Sequence, residues 1–160
     1  MSTAVVGSFW QRRVISPIVA QLTQGVTPEK IALTLALGSV LGLFPILGAT
    51  TALCGAAGVA WRLNQPIIQL VNYLLTPLHL ALLIPFYRAG EYLLGRESIP
   101  LSISLLFQRF SMGFWQFLAD FGMIAIGGIL VWLMLAPFAI AAIYYGTRAP
   151  LRVLAARVAR

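Results

Sequence analysis

The sequence predicts an all-α integral membrane protein: a short broken or re-entrant helical hairpin, about two full spans, and interfacial helices. Three observations predict it. Hydrophobic residues make up 60% of the chain and charged residues 9%, with a mean hydropathy of +0.91, where a soluble domain carries about 25% charged residues. No ionisable side chain occurs between Lys30 and Arg62, none but His79 between Arg62 and Arg88, and none between Asp120 and Arg148. Each run exceeds the roughly 20 apolar residues that span a bilayer core. Finally, two of these runs are interrupted in mid-course, by Pro45 and by Pro77, which a plain anchor does not need.

Residues 1–26 read as a cytoplasmic interfacial segment. Trp10, Val14, Ile15, Ile18, Val19 and Leu22 recur at helical spacing, as in a helix lying in the headgroup layer. Arg12 and Arg13 lead into Ser16-Pro17 rather than a long apolar stretch, so no signal peptide is expected.

A polytopic membrane domain is expected over 27–147. Thr27-Pro28-Glu29 starts its first helix, with a hydroxyl at the N-cap, proline at the first helical position and an acid in the first turn. That helix must stop near Phe44, because Pro45 lacks an N–H and collides with the preceding turn. Residues 31–44 would cover only about 21 Å, less than the roughly 30 Å core. A second short apolar piece, 49–61, ends at Arg62. Two short arms joined by Pro-Ile-Leu-Gly, with charges at both outer ends, favour a hairpin that enters and leaves on one face. Two crossings of a thinned region, or one kinked span, are the alternatives. Gly38 and Gly42 in the first arm, and Gly48, Ala52, Ala56 and Ala60 in the second, are small enough for close helix packing.

Residues 66–94 form a further apolar segment, punctuated by Thr76-Pro77 and Pro85. Residues 98–119 suit an interfacial helix. The cleanest span is 121–145, with Gly127-Gly128 and Pro137 as soft points. Residues 148–160 follow as a basic cytoplasmic tail with four arginines and no acid.

The net charge of +7 sits beside the apolar runs, as loops on the cytoplasmic side require. Residues 88–120 carry three arginines against three acids, so they fall outside and both termini fall in the cytoplasm. The expected partners of these basic flanks are membrane lipids with anionic headgroups; nucleic acid is not expected.

Arg62, Gln65, Gln69, Asn72, Thr76 and His79 are spaced by three or four residues, and on one helix they would form a single polar stripe. Such a stripe must face protein or water rather than lipid. It reads either as interhelical glue or as a groove for a polar headgroup. Broken helices expose backbone groups at membrane depth, tolerated where they line a cavity, and paired breaks mark substrate sites in transporters. Pro45, Gly48, Thr50 and Thr51 would then line the groove with the stripe. The single cysteine, Cys54, lies in an apolar run, no metal-ligand cluster appears, and no nucleophile, phosphate-loop or metal motif is present. Neither an enzyme nor a cofactor is expected.

The run GVTPEKIALTLALGSVLGLFPILGATT, followed by RLNQP and TPLHLALLIPFYRAGEYLLG, resembles the bacterial membrane family known as domain of unknown function 2062. Gly25, Thr27, Pro28, Ala32, Gly38, Pro45, Gly48, Asn64, Pro66, Pro77 and Gly90 match its pattern, and the resemblance covers about 9–147. Thr76 and His79 stand where that pattern has Asn and Thr. The resemblance implies a multi-pass inner-membrane protein of a bacterium. It also leans toward envelope-lipid or lipid-linked sugar metabolism, because some relatives carry the domain beside glycosyltransferase modules. The functional expectation is a protein that binds or translocates a lipid-type substrate. Its rival is a non-transporting scaffold or accessory subunit, working as a homodimer or with a partner membrane protein.

Overall fold

The computed structural model describes residues 26–95, 111 and 113–158. The interfacial segment expected over 1–26 lies outside the described residues except for its last one, as does most of the interfacial helix expected over 98–119. The described residues are all helical in their regular structure: α1 Pro28–Gly42, α2 Ala49–Ala60, α3 Gln65–Leu74, α4 Thr76–Leu93 and α5 Phe114–Val158.

Local chemistry sets these limits. The Thr27 hydroxyl accepts the Lys30 N–H at 3.3 Å and Pro28 follows it, so α1 starts where the sequence predicts. It ends three residues before Pro45. Asn64 caps α3 in the same way, its Oδ1 accepting the Ile67 N–H at 3.0 Å. Between them, α2 closes with paired reverse hydrogen bonds. The Arg62 N–H donates to Val59 O at 3.2 Å and the Leu63 N–H to Gly58 O at 2.8 Å. This is the Schellman arrangement, and its left-handed position is ordinarily glycine. Here Arg62 occupies it at φ +51°. Arg62→Gly is therefore expected to stabilise the fold by about 1 kcal/mol, the cost of a left-handed conformation with a Cβ. Thermal unfolding in detergent would register the gain as a raised midpoint.

α1 and α2 fold back on each other. Leu37, Cys54, Ala57, Leu63 and Ile68 form one buried cluster, and Gly38 O lies 4.0 Å from Cys54 Sγ. A single kinked span across 31–61 is excluded by this antiparallel pairing. α3 lies along both arms. A Cβ on Gly38 would sit 3.1 Å from the Ile68 side chain, and one on Gly42 would sit 3.2 Å from the Asn72 Cα. Gly38 and Gly42 thus admit α3. Ala52 and Ala56, read from sequence as packing residues, are exposed. The inner face of α2 is instead Cys54, Ala57 and Gly58. A Cβ on Gly58 would overlap the Gln65 amide.

The segment after α3 bends by 61° at Leu75. Pro77 removes the N–H that would bond Tyr73 O, and its ring presses on that carbonyl. Pro85 lies within α4 and does not end it, although the sequence suggests a break there. α5 is longer than the expected 121–145. It runs 45 residues with Pro137 and Pro150 inside it, so the basic tail continues the same helix as far as Val158. The tail also folds against α1. Leu151 packs with Ile31 and Ala32, and Arg152 Nε meets Glu29 Oε1 at 2.7 Å. That hydrogen bond is the main reason the Glu29 carboxyl is held below its ordinary value.

Among the described residues, one helix, through its Gly122–Arg157 stretch, is long and apolar enough to cross a membrane; the bent pair α3–α4 adds a second if it counts as one span. α5 crosses α1 and α4 and ties the bundle together. Its Trp132 and Ala136 form a buried cluster with Val40.

Candidate functional site

The two helix breaks meet α4 and α5 at one end of the α1–α2 hairpin. Residues 43–48 turn tightly. The Ile46 N–H donates to Phe44 O at 2.7 Å and the Ala49 N–H to Ile46 O at 3.3 Å. Gly48 supplies the left-handed backbone at φ +85°, with open space around it. Pro45 is fully buried. The carbonyls freed by the break find aromatic donors. Tyr87 OH donates to Pro45 O at 2.8 Å, and Trp132 Nε1 donates to Val40 O at 3.0 Å. Phe44 lays its ring edge-on to Trp132 at 5.1 Å. The break is thus a braced structure, with its exposed backbone engaged by α4 and α5.

The six-residue polar stripe is not one helix face. Arg62 lies outside any helix, exposed, in the α2–α3 turn, and the bend at Leu75 separates Gln65, Gln69 and Asn72 from Thr76 and His79. The helix that would align all six residues ends at Leu74, where Pro77 bends the chain. The three α3 amides face α2. Gln65 Nε2 donates to Gly55 O at 2.9 Å, and Gln69 Nε2 to Thr51 O at 3.1 Å. Asn72, buried, reaches Thr51 Oγ1 at 3.3 Å and Gln69 Oε1 at 3.4 Å. Thr51, exposed, is therefore the common acceptor, while Thr50 beside it is buried. The Thr76 hydroxyl turns back to Asn72 O at 3.5 Å.

His79 differs from the rest. It is 4% exposed, its Nε2 has no hydrogen-bond partner among the described residues, and the Phe44 backbone lies in hydrogen-bonding reach of its ring. A buried polar atom without a partner costs about 1–3 kcal/mol. The structure therefore brings Pro45, Tyr87 and His79 around the break that Gly48 closes, and a seam of amides beside it, while Arg62 stands apart. No group of three His, Cys, Asp or Glu side chains among the described residues is placed to hold a metal ion.

The model of a bacterial family, described as uncharacterized protein conserved in bacteria (DUF2062), matches residues 11–160. The chain belongs to the DUF2062 family. Neither a curated protein nor a solved structure matches it. The DUF2062 fold thus carries its own evidence for function in the geometry above.

Three residues of this DUF2062 chain matter more than the sequence indicates. Tyr87 and Trp132 reach the break from 42 and 92 residues away, distances no local pattern reveals. Glu91 follows Arg88 by three residues, the spacing of an ion pair on one helix face. The pair forms at 2.8 Å, yet Glu91 is 2% exposed. Glu91 is buried beside Gly90, where α4 meets α5. Its spacing to Arg88 was a usable signal for the pairing, but not for the burial.

Proposed function

We propose that this protein is a multi-pass protein of the bacterial inner membrane, both termini cytoplasmic, that binds a lipid with an anionic headgroup and lets the headgroup cross along its broken helices. The α1–α2 hairpin is then re-entrant. α4 and α5 stand beside it in lipid, consistent with the exposed Leu133, Met134, Leu135 and Phe138 of α5. The step is passive and involves no covalent chemistry. Acyl chains stay in the bilayer while the headgroup moves between α2 and α3, exchanging its hydrogen bonds with Gln69, Asn72 and Thr51 for those the amides now make with each other. Arg62 at the α2–α3 turn attracts the anion.

The observation that carries this reading is His79. An unpartnered buried nitrogen beside a helix break is a cost to folding, and groups of that kind persist where a function uses them. His79→Leu removes the unpartnered atom and keeps an apolar volume but also gives up the ring's contact with the Phe44 backbone, so the fold should stay within about 1 kcal/mol of wild type. Purified protein in liposomes, with fluorescent phospholipid and polyprenyl-phosphate reporters and an impermeant quencher, tests the idea. Wild type should move the reporters across, and His79→Leu and Gln69→Leu/Asn72→Leu should each lose about tenfold or more, the factor equivalent to about 1.4 kcal/mol. Crossing that His79→Leu leaves untouched would sink the reading.

A second reading has its own support. Gln65, Gln69 and Asn72 already bond α2, as in interhelical glue, and the Gly48, Ala52, Ala56 and Ala60 row of α2 is exposed. On that reading the protein is a scaffold whose small-residue face takes a second copy or a partner helix. Ala52→Leu/Ala56→Leu would then dissolve a complex, and no lipid crossing above empty liposomes would be seen with the variant or with wild type.

A further inference from the structure

Away from the breaks, the start of α1 and the middle of α5 line an open groove of about 540 Å³. Its walls are apolar: Leu33 on α1, and Pro137, Ile140, Ala141 and Tyr144 on α5. Its mouth is charged. Lys30 and Glu29 line it, and Arg148 and Arg152 reach Glu29 Oε1 at 3.6 Å and 2.7 Å. Two arginines thus share one carboxylate, and Lys30 adds a third positive charge at the same mouth. Arg152 holds the closer contact. Arg148 Nε is buried and has no hydrogen-bond partner among the described residues, and its guanidinium stands 5.8 Å from the centroid of the Tyr144 ring that forms the cleft wall.

We infer that this cleft is a binding site for one anionic phospholipid, its acyl chain between α1 and α5 and its phosphate at Lys30 and Arg148. The division of labour follows from the surroundings. In a bilayer an apolar groove offers a lipid chain no hydrophobic gain over its neighbours, so selection must come from the mouth. There the local charge is positive, and Glu29 cannot satisfy all three cations. A phosphate supplies the acceptors for the Arg148 Nε–H and for the Lys30 ammonium, which has no ion pair among the described residues. A zwitterionic headgroup would bring its own ammonium into the same cluster and be disfavoured. The site rests on the membrane placement proposed above, but not on translocation. It would hold a lipid at the α1–α5 seam whether or not the helix breaks conduct one.

The test uses the full chain in neutral detergent, titrated with phosphatidylglycerol or phosphatidylcholine, with retained lipid counted by native mass spectrometry. Wild type should hold phosphatidylglycerol about tenfold or more over phosphatidylcholine, a ratio readily resolved. Lys30→Gln/Arg148→Gln should lose the preference. Ala141→Trp, an exposed cleft residue enlarged to fill the groove, should lose the retained lipid altogether with helicity unchanged. Equal retention of the two lipids by wild type would overturn the site, and so would full phosphatidylglycerol retention by Ala141→Trp, which would assign the cleft to another occupant. Should the charge variant fail to fold, Ala141→Trp decides alone. A chain that partitions to the aqueous phase in detergent phase separation would instead refute the membrane placement. The liposome assay reports on translocation independently.

Discussion

Gly90→Ala should lower stability more than any other single methyl group added to the described fold. A Cβ at Gly90 would overlap the backbone of Gly127, and one at Gly127 would stand 3.0 Å from the Gly90 backbone. α4 and α5 therefore cross with their main chains in contact, and no side-chain rotation relieves the clash. Gly128 continues the crossing, its added Cβ falling 2.8 Å from the Tyr87 ring. Parting the helices would also pull Tyr87 from Pro45 O and uncover Glu91 next to Gly90. Overpacking of a closed contact costs about 1–3 kcal/mol and sometimes more, and this site lies at the upper end. Gly146→Ala is the matched control. It sits in the same long helix with nothing within 4 Å of its added Cβ, so alanine should stabilise by about 0.5–1 kcal/mol through helix propensity. Unfolding in detergent should thus move in opposite directions for the two variants. A Gly90→Ala midpoint at or above wild type would mean that the backbones do not touch.

The same glycines show where a sequence is legible and where it is not. α1 and α2 begin and end within two residues of the expected positions, because caps and prolines act within one turn, whereas the single apolar segment expected over 66–94 divides into α3 and α4. The 61° bend was likewise signalled by Thr76-Pro77. Orientation about a helix axis was less accessible. Gly127 and Gly128 looked like soft points and are packing surfaces; Ala52 and Ala56 looked like packing surfaces and face outward. Spacing alone cannot tell a small residue that admits a neighbour from one that has none, since the distinction resides in another helix. The polar residues followed the same pattern. Gln65, Gln69 and Asn72 share a face as their spacing demands, but that face was joined to His79 only on the assumption of an unbroken helix.

Trp132 is the second position where a large effect is expected, and it separates packing from hydrogen bonding at the break. It lies in the middle of an apolar run of α5, where a tryptophan would read as one more greasy side chain. In the fold it is buried against Val40 and Ala136, edge-on to Phe44, and donates to Val40 O at 3.0 Å. Trp132→Ala removes all three contacts and should cost about 3–5 kcal/mol, the usual range for a buried aromatic. Trp132→Phe keeps much of the volume and loses the donor. Val40 O still accepts the Leu43 N–H at 3.2 Å, so this variant should cost only about 1 kcal/mol. The two should also differ at a distance. Because α1 ends at the turn that carries Phe44 and Pro45, Trp132→Ala should loosen the whole 43–48 turn, read as faster amide exchange at Ile46 and Ala49, whereas Trp132→Phe should leave exchange there near wild type. Equal exchange in both variants would mean that the Tyr87–Pro45 hydrogen bond alone holds the break, and that the brace from α5 adds nothing to it.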